Sequence, residues 1–101
     1  MIYYNIKKMK EDKKMNEKML NDIYKHCSNN KEELLLVNKC GCFNCMKIFS
    51  PKEIIEWIEL DKGKFTAFCP YCAIDSVIAE SKDYKLTDRL LIKLHERWME
   101  K

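Results

Sequence analysis

Apolar residues recur at intervals of three and four over positions 15–27, at Met15, Met19, Leu20, Ile23, Tyr24 and Cys27, which is the spacing of one face of an amphipathic helix. Ser28-Asn29-Asn30 interrupts the stripe. Asn30 with Glu33 three residues on has the form of a capping box, so a second short helix is predicted through Leu34, Leu35, Leu36 and Val37, with its leucines in the core. Ser50-Pro51-Lys52-Glu53 combines a capping hydroxyl, a proline suited to the first helical position and a glutamate suited to the third. It predicts a helix over 51–58 that buries Ile54, Ile55, Trp57 and Ile58. Asp61-Lys62-Gly63-Lys64 is turn chemistry, and Phe65-Thr66-Ala67-Phe68 behind it reads as a short strand. Positions 73–79 fit either a strand or a helix capped at Asp75 or Ser76. Thr87 caps a last helix over 88–99, with Leu90, Leu91, Leu94 and Trp98 on one face.

Between these elements lie cysteines at a telling spacing. The chain reads Cys40-Gly41-Cys42-Phe43-Asn44-Cys45, then 23 residues, then Cys69-Pro70-Tyr71-Cys72. Two Cys-x-x-Cys pairs each set two sulfurs on one tight turn, and the intervening length lets a hairpin or short helix bring the turns together around one ion. The expected ligand set is Cys42, Cys45, Cys69 and Cys72, and the expected metal is tetrahedral zinc. Cys40 is the alternative to Cys42, or a thiol packed beside the site. A redox dithiol at Cys69-Pro70-Tyr71-Cys72 is the competing chemistry, although the chain lacks the βαβ setting of such motifs. Four thiolates close the metal's shell, so no position is left for an activated water, and a structural site follows rather than a catalytic one.

Composition narrows the picture further. A chain of 101 residues is one small domain, for which a structural zinc, with roughly 10–16 kcal/mol of apparent binding energy, matters as much as the core. The net charge is +3, with nine lysines against six acids in residues 1–39 and ten basic residues against ten acids in 40–101. The excess therefore lies in the first third, and the cysteine region is not a basic patch. Residues 1–14 read as a flexible Lys-rich leader, and 15–101 as a single zinc-binding domain with its metal module at 40–79. Arg89 and Arg97 are the only arginines, a poor supply for bidentate reading of phosphates or guanine. The start lacks the apolar run of a signal peptide and nothing approaches the length of a membrane span, so the cysteines belong to a reduced, cytoplasmic setting.

Other chemistry is thin. Cys27 sits on the first helical stripe as a small buried hydrophobe. His95 falls at the polar border of the last helix, and Asp75-Ser76 is better explained by capping than by nucleophilic catalysis, since no histidine or glycine-flanked elbow accompanies it. Phe43, Phe49, Trp57, Phe65, Phe68 and Tyr71 crowd the cysteine region. Packing around a metal module explains them better than stacking on unpaired bases.

At these residues the chain resembles a family of small bacterial proteins described only as cytoplasmic proteins. Their shared pattern is Cys-Gly-Cys-Phe-x-Cys, then Phe-x-Pro-x-Glu-Ile-x-x-Trp, then Cys-Pro-x-Cys-x-Ile-Asp-Ser-Val-Ile. The corresponding stretches here are Cys40–Cys45, Phe49–Trp57 and Cys69–Ile78, and Leu94-His95-Glu96-Arg97-Trp98 is also similar. The resemblance spans roughly residues 25–99 and implies no activity. Ala73 departs from it where the family tends to have glycine, and the Lys-rich leader is not part of the pattern.

The expectation is a helix-rich α+β fold: a zinc-ribbon or treble-clef module of four cysteines wrapped by N- and C-terminal helices. The expected function is non-catalytic, a zinc-binding module whose partner is another protein, as in an adaptor or inhibitor of a bacterial defence or toxin system. The alternative is a nucleic-acid-binding regulator acting through the N-terminal lysines. No membrane role is expected.

Overall fold

In a computed structural model the chain is described over residues 16–100. The lysine-rich leader, the nucleic-acid role assigned to it and Met15 of the first stripe lie outside the described residues. The rest is an α+β fold with three α-helices and two small antiparallel sheets.

Helix α1 spans Glu17–Tyr24 and continues as one 3-10 turn, Lys25–Cys27. Asn16 caps it, its side-chain oxygen accepting from the Met19 amide at 3.0 Å. Helix α2 is shorter than its apolar run, Lys31–Leu35. Leu34 is buried there, whereas Leu35 is 66% and Leu36 85% exposed, because consecutive helical residues cannot share one face. Helix α3, Asp88–Trp98, starts where expected: the Thr87 hydroxyl accepts from the Leu90 amide at 3.1 Å, and Leu90, Leu91 and Leu94 are buried.

Three short strands form the central sheet: β1 (Cys40–Cys42), β2 (Ile48–Phe49) and β5 (Val77–Ala79), in the order β2-β1-β5. Strands β3 (Trp57–Asp61) and β4 (Lys64–Ala67) make a separate hairpin that turns at Gly63, whose φ of +77° suits glycine.

The helix predicted over 51–58 is not formed. Ser50 and Glu53 do make reciprocal capping bonds, the Ser50 hydroxyl accepting from Lys52 N at 3.2 Å and the Glu53 carboxylate from Ser50 N at 3.1 Å. They hold only a single 3-10 turn, Pro51–Glu53, after which the chain is extended from Ile54. The next residues, Ile54-Ile55-Glu56-Trp57-Ile58, are largely β-branched and aromatic and gain more by pairing with β4 than by continuing the turn. Ile54 then points into the core and Ile55 is 80% exposed. The ambiguous 73–79 segment forms no helix: residues 73–76 are irregular and Val77–Ala79 are strand β5.

The central sheet separates two apolar clusters, and the two-residue period of its strands sorts side chains between them. Cys40, Cys42, Val77 and Ala79 face Leu34, Phe49, Ile54, Ala67 and Cys69. Ile78 faces the helices, among Leu20, Ile23, Leu86, Leu90, Leu91 and Leu94. Gly41 lies on that helix side too: a Cβ there would stand 3.2 Å from methyls of both Leu86 and Leu91. The terminal helices are fastened by Tyr24 stacked on Trp98, with ring centroids 3.8 Å apart.

Buried Asn30 ties three elements together. Its side-chain amide donates to the carbonyls of His26 at 2.9 Å and Val77 at 2.8 Å, and its oxygen accepts from the Ala67 amide at 3.2 Å. No capping bond from its side chain is found. The capping-box spelling hides a cross-link among strand β4, strand β5 and the 3-10 turn that follows α1.

Candidate metal centre

Cys42, Cys45, Cys69 and Cys72 come together. Their sulfurs all lie within 4.8 Å of one another, with Cys42 and Cys72 at 3.6 Å and Cys45 and Cys69 at 3.7 Å. Four thiolates at about 2.3 Å around a tetrahedral ion have edges of about 3.8 Å, so the spacing fits such a shell. None of the cysteines is in a disulfide. Cys42 and Cys69 are buried and Cys45 and Cys72 half-buried.

Each pair sits on the same local structure. In the first turn, Met46 N donates to Cys42 O at 2.8 Å and Cys42 N to Lys47 O at 2.9 Å. In the second, Ala73 N donates to Cys69 O at 2.9 Å and Cys69 N to Ile74 O at 2.9 Å. The amide two residues past the leading cysteine points at its sulfur in both, Asn44 N to Cys42 Sγ at 3.3 Å and Tyr71 N to Cys69 Sγ at 3.4 Å. Such bonds aim the sulfur lone pairs and spread negative charge when the thiols ionise.

Two polar side chains that the sequence pattern did not assign to the site also reach it. The Ser76 hydroxyl is 3.0 Å from Cys42 Sγ, and the Asn44 side-chain amide donates to Cys72 Sγ at 3.4 Å. Ser76 is buried and is not a helix cap. Its position just past the second pair, at the start of the returning strand, is the signal that points to it.

The environment divides the thiols. Burial pushes Cys42 well above the ordinary range, more than the bonds from Ser76 and the turn amides bring it down. Burial also raises Cys69. Cys72 is pushed up by burial too, but the Asn44 amide and neighbouring donors more than reverse this and leave it below its ordinary value. A cation among the four sulfurs displaces the remaining protons.

Cys40 stands outside the group. It shares a face of β1 with Cys42 but lies two residues along the strand, about 6.6 Å away, farther than a coordination shell spans. Its thiol donates to the Phe49 carbonyl at 3.4 Å, and burial lifts it to about 12. Cys27 is buried in the helical cluster, raised to about 11 for the same reason.

The aromatic residues around the centre serve as packing and clamps. Phe49 meets the edge of Tyr71 with centroids 5.6 Å apart, Lys47 lies 4.7 Å over the Tyr71 ring, and the Tyr71 hydroxyl donates to Glu53. The Lys31 ammonium sits 5.2 Å from the Trp57 ring and 4.9 Å from Phe65. On the helix side, His95 Nδ1 is 2.8 Å from the carbonyl of Phe43, which fastens α3 to the first turn. His95 thus anchors the turn and is not among the sulfur cluster.

Among the described residues no helix is long and apolar enough to cross a membrane. The chain matches no protein-family model, no curated protein and no solved structure, so what distinguishes it is the centre itself: four cysteines on two equivalent turns, with sulfurs spaced as a single metal ion would require.

Proposed function

We propose that the chain is a zinc-stabilised, non-catalytic binding module of zinc-ribbon type, whose work is to engage another protein. The observation that carries this reading is the closed set of four sulfurs within 4.8 Å on two equivalent turns. Such a shell leaves the metal no open position for substrate or water. The ribbon type is favoured over the treble clef because the second turn leads into strand β5 and not into a helix.

A protein partner is favoured by where apolar surface is left uncovered. Leu36 and Ile55 are 85% and 80% exposed, and Leu35 and Leu60 are 66% and 61% exposed. They end α2, lead into β3 and lie along it. An adaptor or inhibitor in a bacterial defence or toxin system is the biological setting we favour, on the chain's small size and form.

Elemental analysis is the test of the metal, with about one zinc per chain expected and no visible absorption. Visible thiolate-to-iron bands would reassign the metal to iron, the other common occupant of a four-sulfur site, and metal-free folded protein would overturn the reading. For the partner, Leu36→Ala and Ile55→Ala are expected to weaken capture of a host protein while leaving metal content and thermal unfolding unchanged. Equal capture by every surface variant would count against it.

A further inference from the structure

The four sulfurs all lie within 4.8 Å of one another, and two contacts that run across the turns each join a buried member to a half-buried one. Cys72, half-buried, is 3.6 Å from buried Cys42, and Cys45, half-buried, is 3.7 Å from buried Cys69. An oxidant arriving from solvent meets one sulfur from each turn, and behind it stands a sulfur of the other turn. We infer that the centre is a peroxide-responsive redox site, in which Cys72 and Cys45 are the oxidised thiols and Cys42 and Cys69 resolve them into two disulfides linking one turn to the other. The inference rests on the four sulfurs being the metal's ligands, and names a regulation of that same site.

The steps balance with a hydroperoxide as oxidant. The half-buried thiolate attacks one peroxide oxygen and breaks the O–O bond, giving a sulfenic acid and a hydroxide that takes up a proton to become water. The buried sulfur then attacks the sulfenic sulfur, the S–S bond forms, and the hydroxyl leaves as a second water. Over both pairs, four thiolates, two molecules of hydrogen peroxide and four protons yield two disulfides and four waters. The four electrons lost by sulfur reduce the two O–O bonds, and Cys42, Cys45, Cys69 and Cys72, tied up in disulfides, would no longer offer thiolates to hold a dication.

The direction of pairing matters. A disulfide within either Cys-x-x-Cys would leave the two turns unconnected once the ion is gone. Disulfides across the turns keep β1 fastened to the segment between β4 and β5, so ion loss need not undo the fold. Cys27 and Cys40 stay out of the exchange, because neither belongs to the four-sulfur group: Cys27 is buried in the helical cluster and Cys40 is bonded to the Phe49 carbonyl.

The digestion sites make this directly measurable. Trypsin places Cys40, Cys42 and Cys45 on one peptide, residues 40–47, and Cys69 and Cys72 on another, residues 65–82. The full chain, assayed first for metal by elemental analysis, is titrated with hydrogen peroxide in the presence of a chromogenic chelator, alkylated, digested without reduction and mapped. The expected result is release of the bound ion over about two equivalents of peroxide, a fall from six titratable thiols to two after denaturation, and 40–47 joined to 65–82 through Cys42–Cys72 and Cys45–Cys69. Dithiothreitol is expected to restore six thiols and metal uptake.

Separate peptides carrying internal Cys42–Cys45 and Cys69–Cys72 bonds, or sulfinic and sulfonic acids in place of disulfides, would overturn the inference. Cys27→Ala and Cys40→Ala chains, which keep all four centre sulfurs, are expected to give the same map; a map that changes with either also counts against it. Absence of metal before the titration would instead strike the zinc reading, while the disulfide map still reports separately on the pairing.

Discussion

Met46 and Ala73 are structural equivalents. Each comes directly after the second cysteine of its turn, each donates its amide to the carbonyl of the leading cysteine, and each is left-handed, at φ +70° and +64°. A left-handed conformation costs a residue with a Cβ roughly 1–2 kcal/mol, and glycine recovers this less the roughly 0.5–1 kcal/mol of extra freedom it brings to the unfolded chain.

Ala73→Gly is therefore expected to stabilise the metal-loaded protein by up to about 1 kcal/mol, seen as a higher urea midpoint at unchanged slope. Met46→Gly should gain less or nothing, because Met46 also packs against the helical cluster. A lower midpoint for Ala73→Gly would show that the turn is not strained there.

Removing a ligand differs sharply from removing a bystander thiol. Cys42→Ser and Cys69→Ser are expected to abolish stoichiometric metal binding and unfold most of the chain, since the lost binding energy is comparable with a small domain's stability. Cys40→Ala should retain about one ion and lose only about 1 kcal/mol of packing. Elemental analysis with circular dichroism separates the two; loss of metal from Cys40→Ala would return Cys40 to the ligand set.

The Asn30 cross-link is a second point of fragility. Asn30→Leu leaves two carbonyls and one amide without their partner, a loss of about 2–4 kcal/mol. Asn30→Asp should be worse still, because a carboxylate oxygen would then face the His26 and Val77 carbonyls. Chemical denaturation of the variants checks this, and near-wild-type stability in both would mean that the side chain contributes little.

Alkaline pH should weaken the fold through Cys27. Burial raises this thiol from 9.0 to about 11, so between these values the native chain keeps a proton that the unfolded chain has lost. Its contribution is complete below pH 9.0, declines as pH rises and is gone above about 11. The difference in urea midpoint between pH 7 and pH 10.5 is expected to shrink in Cys27→Ala; an unchanged difference would assign the alkaline loss to other groups.

The cysteine spacing made the four-sulfur cluster of Cys42, Cys45, Cys69 and Cys72 legible, because two Cys-x-x-Cys turns leave few ways to bring four thiols together. The capped last helix was legible for a similar reason, with Thr87 and the Leu90, Leu91, Leu94 stripe speaking for one element. The 51–58 segment was misread because the local start signal at Ser50-Pro51 is genuine but reaches only one turn, and pairing of Trp57 with Ala67 across the hairpin decides the conformation beyond it. Asn44 and Ser76 were passed over because their role depends on which sulfur each meets after folding. The two-sided sheet was invisible for the same reason, Gly41 having no spelling for the leucines packed against it.

That sheet has a consequence for observing the centre. Neighbouring residues of one turn serve opposite sides: Cys42 supplies a sulfur, while Phe43 lies against Tyr24, with centroids 6.0 Å apart, and Tyr24 stacks on Trp98. The chain thus carries its own optical gauge. A disturbance at the sulfurs reaches an indole through two rings, and the emission of Trp98, isolated in a Trp57→Phe background, should track loss and return of the ion without any added dye.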